Sequence, residues 1–288
     1  FPIFSQISKK YNTIGYDLDN QRIDLLNKGL DNNEFPLKKF KKTKKMFFTS
    51  DWHLLKKSNF FIVCVPTPVK NNNKPDLNHL MKVSKLISYC LKKGDIIFFE
   101  STVFPGVTDL CAKKIEKISK LKSQKDFFVG YSPERINPGD PKRTIDKISK
   151  IVSFENKNLQ NRISKIYKLV TKKIVFSSNI REAETSKVIE NIQRDLNIAL
   201  FNEIFMVCKK IGVNFKNVIN LAGTKWNFTK YKAGLVGGHC LPVDPYYFSY
   251  LAKKSKINTD IILAGRKVNN GMVKYSINLI NNFFFKKK

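Results

Sequence analysis

An α/β architecture is predicted: a doubly wound parallel sheet over residues 1–178, then an all-helical region over residues 179–288. Three observations predict it. Short β-rich apolar runs alternate with helical patterns through the first part, which is the signature of βαβ units and of a parallel sheet covered on both faces. From Arg181 the rhythm changes to a sustained 3.6-residue period. The 288 residues are 42% hydrophobic, enough to supply a sizeable core for one large or two ordinary domains.

The strands are expected at 13–16, 46–49, 60–66, 95–100, 127–131, 148–154 and 174–177, each a run of Ile, Val, Phe or Tyr bounded by polar or turn residues. Helical patterns fall at 21–27, 78–91, 108–117 and 159–170, and a helix-like stretch opens the chain just after Phe1-Pro2. One long helix spans 182–211, with Val188, Ile189, Ile192, Leu196, Ala199, Leu200, Ile204 and Val207 in helical rhythm and Gly212 as its stop. The segment from 223 to 245 carries Gly223, Gly234, Gly237, Gly238, Pro242 and Pro245 and is read as a long irregular loop, the kind that bears binding and catalytic groups. A last helix runs from Asp260 towards the end, where Phe283-Phe284-Phe285 followed by Lys286-Lys287-Lys288 reads as a cut edge, since three aromatics need a cover.

A formal net charge of +30 invites a nucleic-acid reading, because clustered Lys and Arg neutralise phosphates. The distribution argues against it: only seven of the 53 basic residues are Arg, and the lysines are spread from Lys9 to Lys288. Lys, Asn, Ile and Phe are abundant together, as an A/T-biased coding sequence produces, so solvated lysine faces are expected, with some attraction for an anionic substrate. Five cysteines, Cys64, Cys90, Cys111, Cys208 and Cys240, are odd in number and widely spaced, without metal-ligand spacing. They indicate neither a disulfide framework nor a zinc site, and fit a reducing cytoplasm. No apolar run of membrane-spanning length and no signal peptide is present in this sequence.

Gly15-Tyr16-Asp17 closes the first strand with a carboxylate. In a dinucleotide-binding fold an acidic residue at the end of the second strand bonds the adenosine ribose hydroxyls and favours NAD over NADP; on its own it is weak, since turns favour Asp anyway. The expected GxGxxG loop and its strand are absent here. In the strand order 3-2-1-4-5-6 that strand is central, and its loss leaves two rows of unpaired backbone groups, each costing about 1–3 kcal/mol if buried. The expectation is that upstream residues are missing.

The most informative segment is Gly237-Gly238-His239-Cys240-Leu241-Pro242-Val243-Asp244-Pro245, followed by Tyr246-Tyr247. Two glycines let the backbone approach a ligand and present a thiol with a carboxylate four residues on. Lys187 and Asn191 are four apart on the long helix, so an ammonium and an amide share one face. His239 is tempting as a base, but a sequence neighbour of a nucleophile usually points elsewhere. A structural or substrate-contacting role is expected for it.

Six ordered blocks resemble the UDP-glucose/GDP-mannose dehydrogenase family: Gly15-Tyr16-Asp17, Val65-Pro66-Thr67-Pro68, Glu100-Ser101-Thr102-Val103, Tyr131-Ser132-Pro133-Glu134-Arg135-Ile136-Asn137-Pro138-Gly139, Lys187-Val188-Ile189-Glu190-Asn191 and the Gly-Gly-His-Cys segment. The tyrosine pair, the 190–195 stretch and Ala264-Gly265-Arg266 resemble most the branch acting on UDP-N-acetylhexosamines. The resemblance implies a Rossmann-like NAD-binding domain over 1–178 and a central helical domain over 179–288 that dimerises. It also implies a C-terminal nucleotide-binding domain, absent from this sequence.

The same resemblance implies NAD-dependent oxidation of a UDP-sugar at C6 to the uronic acid, with two NAD+ consumed, for surface polysaccharide precursors. It implies Cys240 as the nucleophile, Lys187 and Asn191 on the C6 oxyanion, Asp244 orienting the lysine and the water, and Glu134 as general base with Thr102 positioning that water. The Lys187 ammonium would also lower the thiol pKa. Asp17, Arg22, Val65, Pro66, Thr67, Glu100, Ser101 and Thr102 are the implied cofactor contacts. Glu134, Arg135, Lys187, Asn191, Lys232, Gly234, Gly237, Gly238 and Arg266 are the implied substrate contacts, and no metal is expected. Where a proline is usual before the first of those glycines this chain has Ala233, preceded by Lys232, which leaves that loop less rigid. Two other readings stay open: a UDP-glucose 6-dehydrogenase, and an inactive fragment serving as a dimerisation module.

Overall fold

The computed structural model describes residues 1–32, 38–136, 143–238 and 240–285. In chain order the elements are α1 (Pro2–Ile7), β1 (Thr13–Tyr16), α2 (Asn20–Asn27), β2 (Leu30–Asp31), β3 (Lys38–Lys39), β4 (Met46–Thr49), β5 (Phe60–Val63), α3 (Asn78–Ser88), β6 (Ile96–Phe99), α4 (Val107–Ser119), β7 (Phe128–Tyr131), β8 (Lys150–Phe154), α5 (Gln160–Val170), β9 (Ile174–Ser177), α6 (Ile180–Lys210), α7 (Phe215–Ala222), α8 (Asp244–Lys254) and α9 (Asp260–Phe285). A short 3-10 turn at Trp52–Lys57 precedes β5. The chain divides into two compact units. The first comprises Phe1–Pro66, Leu77–Ser101 and Pro105–Glu184; the second comprises Thr67–Asp76, Thr102–Phe104 and Thr185–Lys288.

In the first unit β1 pairs with β4 in parallel, and β5-β6-β7-β8-β9 form a separate five-stranded sheet. No pairing joins β1 to β5 among the described residues. β6 is buried along its whole length, as a strand covered on both faces must be. Ile96 and Phe98 point to one side, where they meet Val152, Phe154, and Ile163 and Tyr167 of α5. Ile97 and Phe99 alternate to the other. Burial of a side chain such as Phe98 contributes about 1.5–3 kcal/mol. Gly130 in β7 makes room for that ring, since a Cβ there would lie 2.4 Å from Phe98.

One pairing corrects the sequence reading. β8 runs antiparallel to β7, with Gly130 opposite Phe154 and Tyr131 opposite Ser153, whereas every other pair of the sheet is parallel. Parallel neighbours need a crossover helix. Among the described residues none lies between β7 and β8, so the chain returns antiparallel. The β2–β3 antiparallel pair was not anticipated either; two residues per strand give no readable period.

α4 begins without a side-chain cap of its own, at Gly106 in the left-handed region with φ 94°. Its orphan amides are taken by Glu184, which accepts from Gly106 N at 2.5 Å and Thr108 N at 2.8 Å, and from the Thr108 hydroxyl at 2.7 Å. A carboxylate at a helix N-terminus satisfies both the free N–H groups and the dipole.

The second unit is helical. Along α6, Val188, Ile192, Ala199 and Phe201 are buried, but Ile189, Leu200 and Val207 are 45%, 55% and 54% exposed. The apolar rhythm thus marks two faces of the helix rather than one. α8 was not anticipated, and its first two residues fall within the segment expected as loop. It starts at Asp244-Pro245, with proline and an acid in its first turn and Lys253 and Lys254 in its last, all favourable helix signals.

Candidate active site

Cys240 leads directly into α8: its carbonyl accepts from Val243 N at 3.0 Å and Asp244 N at 2.9 Å. The turn therefore fixes the nucleophile's backbone to the helix that carries Asp244. Asp244 is 1% exposed, and its Oδ2 accepts a short hydrogen bond from Asn191 Nδ2 on α6. Lys187, one turn earlier on α6, has a buried stem and makes no ion pair among the described residues, yet its charge acts on both Asp244 and Cys240. Lys187, Asn191, Cys240 and Asp244 thus converge within the second unit, from two helices and one turn. The expected pairing changes in one respect: Asp244 holds Asn191 directly, not the lysine.

Burial pushes the Asp244 carboxyl up to about 6, against the hydrogen bond from Asn191 and the charge of Lys187. The Cys240 thiol is raised as well, although Lys187 acts on it in the expected, lowering direction. Cys240 is exposed over its residue surface, but its sulfur is crowded: desolvation and then the Asp244 charge outweigh Lys187. The turn before it needs glycine at 238, where φ is 86°, while Gly237 opens onto free space that a ligand can approach. His239 lies outside the described residues, as do Asn137, Pro138 and Gly139 of the fourth block and Lys286–288.

Gly234 is held by Asn202 through both of its backbone polar groups. Its N–H donates to Asn202 Oδ1 at 2.7 Å and its carbonyl accepts from Asn202 Nδ2 at 3.0 Å, so its amide is not free for a sugar or phosphate. Arg266 likewise turns inward: 3% exposed, it pairs with Asp195 at 2.6 Å and donates to Asn270. In this chain the guanidinium serves the α6–α9 packing. Lys232 is exposed.

The implied cofactor residues separate by what their polar atoms already do. Asp17 ends β1 with its side chain 43% exposed, steadied by Arg22 Nε at 3.3 Å; Arg22 also bonds Asn32 at 2.9 Å and reaches Asp31 at 3.4 Å. This fits a ribose diol, since the carboxylate is both held and accessible. Val65 and Ser101 bond each other, N to hydroxyl at 3.1 Å and hydroxyl to carbonyl at 2.7 Å, which fixes the chain past β5, a strand that stops at Val63 rather than Pro66. The Glu100 carboxylate is buried, paired with Lys150 at 2.5 Å and accepting from Tyr167 at 2.8 Å. It is unavailable to a cofactor, and burial raises it to about 7 despite the lysine. Thr67, in the second unit, donates to the Thr102 carbonyl at 2.6 Å. Glu134 and Arg135 belong to the first unit; Glu134 Oε1 accepts from Arg135 N at 2.7 Å and Ile136 N at 2.9 Å.

Sequence reading missed Asn202 and Lys150, and it singled out Tyr247 without its anchoring role. Tyr247 is fully buried and its hydroxyl donates to the Thr67 carbonyl, tying α8 to that loop. Its place one turn after Asp244 was a usable signal; a lone Lys150 among so many lysines was not. Among the described residues no group of three His, Cys, Asp or Glu could hold a metal, and no helix is long and apolar enough to cross a membrane.

Comparisons with known proteins place the chain in a family. Residues 3–171 match the NAD binding domain of the UDP-glucose/GDP-mannose dehydrogenase family, and residues 181–271 match the central domain of the same family. The UDP-N-acetyl-D-glucosamine 6-dehydrogenase of Pseudomonas aeruginosa is 41% identical over 290 residues, covering 100% of this chain and 69% of that protein. Protein CapL of Staphylococcus aureus is 43% identical over 277 residues, with 95% of this chain and 65% of the relative covered. The structure of a UDP-D-ManNAc dehydrogenase from Pyrococcus horikoshii superposes with a TM-score of 0.86 at 30% identity, over 97% of this chain and 68% of that one. The chain spans about two thirds of the length of the relatives it matches. It belongs to the UDP-glucose/GDP-mannose dehydrogenase family of NAD-dependent oxidoreductases, through both its NAD binding and its central domain.

Proposed function

We propose that the protein oxidises the C6 hydroxyl of a UDP-N-acetylhexosamine to the uronic acid, in the cytoplasm, as a step towards surface polysaccharide precursors. The observation that carries the chemistry is the convergence of Cys240 and Asp244 with Lys187 and Asn191. The substrate class is supported by the 41% identical relative named UDP-N-acetyl-D-glucosamine 6-dehydrogenase.

NAD supplies the hydride acceptor, one molecule for each of two oxidations. The protein's own residues do the rest. Lys187 and Asn191 stabilise the C6 alkoxide that forms as the hydroxyl proton passes to water, and the first hydride then leaves C6 to give the aldehyde. The Cys240 sulfur adds to the resulting aldehyde, its proton passing to the developing alkoxide, and a thiohemiacetal forms. Loss of a second hydride and of the hydroxyl proton gives a thioester. Water, activated by Glu134 with Thr102 in support, then breaks the C–S bond, releasing acid and regenerating the thiol. Asp244 holds Asn191 in place and, ionised above about pH 6, balances the lysine.

The exposed apolar face of α6 at Ile189, Leu200 and Val207 supports pairing of two copies through the helical unit. The test is stoichiometric. Two NADH should appear per uronate, with no aldehyde captured by a carbonyl trap. One NADH and free aldehyde would overturn the covalent route.

A further inference from the structure

The antiparallel turn of β8 has a chemical consequence. Continuing the register of Gly130–Phe154 and Tyr131–Ser153 past the end of β7 brings Glu134 opposite Lys150. The contacts follow that register. Lys150 Nζ lies 3.9 Å from Glu134 Oε2 and 3.3 Å from the Pro133 carbonyl, while its closest partner is Glu100 Oε2 at 2.5 Å. The neighbouring Ser149 carbonyl accepts from Arg135 Nη1 at 2.8 Å. On the other side the Glu134 segment is tied to β6, through Ser132 N to Phe99 O at 2.9 Å and Glu134 N to Glu100 O at 3.4 Å. A parallel β8 would put its other end here.

Burying this charged pair carries a desolvation cost. The side chains of Lys150 and Glu100 are 4% and 1% exposed, and Tyr167, fully buried, adds its hydroxyl to Glu100. A buried ion pair is weak grounds for stability, since a neutral pair of the same volume is often as stable or more so. Glu134 differs from its partners: its side chain is 38% exposed and its Oε1 takes two successive backbone amides, so only Oε2 remains to be aimed.

We propose that Lys150, held by Glu100 and Tyr167, is a positioning residue for Glu134, fixing the carboxylate that activates water in the hydrolytic step. This rests on the role given to Glu134 above. Lys150 touches neither substrate nor cofactor in this reading; it acts through Glu134.

The test uses the double variant Glu100→Gln/Lys150→Met, which removes the pair without leaving a lone buried charge and keeps an acceptor for Tyr167. Two readouts are needed. Amide exchange at Arg135 and Ile136, which requires no activity, should become at least about tenfold faster, while amides of β6 stay protected. In stopped flow with UDP-N-acetylglucosamine and NAD+, the initial NADH burst should persist and the steady-state rate should fall about 10–100-fold. Glu134→Gln added to the double variant should cost nothing more, because the two changes disable one unit. Lys150→Arg should recover part of the rate.

The inference is overturned if the folded double variant keeps Arg135 and Ile136 protected. It is overturned equally by a steady-state rate within twofold of the parent, or by a loss additive with that of Glu134→Gln. If Glu134→Gln alone leaves hydrolysis untouched, the role assigned to Glu134 has failed, and the inference with it. If the double variant does not fold, exchange at the same two amides in Lys150→Arg decides: unchanged protection relative to the parent supports positioning only when Lys150→Gln, measured alongside, loses it, and equal protection in both overturns it.

Discussion

Replacing Asn191 by Leu removes the direct hydrogen-bond donor to the buried Asp244 carboxylate while keeping the volume and a good helix former. A hydrogen bond to a charged group contributes about 1.5–3 kcal/mol, and at 1.36 kcal/mol per unit its loss moves the native pKa up by about 1–2 units. The sign follows from the direction of the existing shift. Asp244 is raised from 3.8 to about 6 in the native state, so between those values the native protein holds a proton that the unfolded chain has lost, and this group's contribution to stability falls as pH rises through that window. Asn191 limits that fall by favouring the ionised form. Its removal should therefore destabilise by about 1.5–3 kcal/mol near pH 8, where Asp244 is ionised, and by much less near pH 5, where it is protonated in both proteins. Urea unfolding at the two pH values measures this. An equal loss at both, or a loss that survives in an Asp244→Asn background, would refute the reasoning.

Other outcomes follow from the same geometry. Cys240→Ser should abolish uronate formation while UDP-sugar binding by calorimetry stays within about threefold, because a hydroxyl with a far higher pKa does not form and release the acyl intermediate. Lys187→Ala should lower kcat by about 10²–10³-fold with a smaller change in KM, the scale of losing one oxyanion donor. The kcat profile should fall on the acid side as pH drops through about 6, where Asp244 takes up a proton, and Asp244→Asn should remove that limb along with most of the activity. Glu184→Gln should destabilise the first unit by about 1–3 kcal/mol, read by thermal unfolding, since α4 loses the charge at its N-terminus.

Much of the fold was legible because the apolar runs and the helical period are strong. Short continuous apolar runs such as β6, and the long helical rhythm of α6, declared themselves in the sequence. The antiparallel β8 was not, because a strand's sequence carries no arrow: Lys150–Phe154 reads the same in either direction, and only the missing crossover betrays it. α8 was hidden by Pro242 and Pro245, taken as loop signals when Pro245 sits in the first helical turn, where its missing N–H costs nothing. At the site, Lys187, Asn191, Cys240 and Asp244 were legible because a helix fixes which residues share a face and the glycines mark the approach. What the sequence did not show for Glu100, Ser101, Gly234 and Arg266 is the set of partners they have within the chain. A motif names the residue but not whether its polar atoms are already satisfied within the chain, by Lys150, Val65, Asn202 and Asp195 respectively.

The most direct test of the covalent account is the intact mass of a Glu134→Gln variant, slowed at hydrolysis, after mixing with UDP-N-acetylglucosamine and NAD+ and rapid acid quench. The account predicts an adduct equal to protein plus substrate less the hydrogens removed in two oxidations, mapped by peptide analysis to Cys240 and lost in Cys240→Ser. Uronate formation by the unmodified protein with no such adduct on Cys240, under conditions where hydrolysis is rate-limiting, would contradict it.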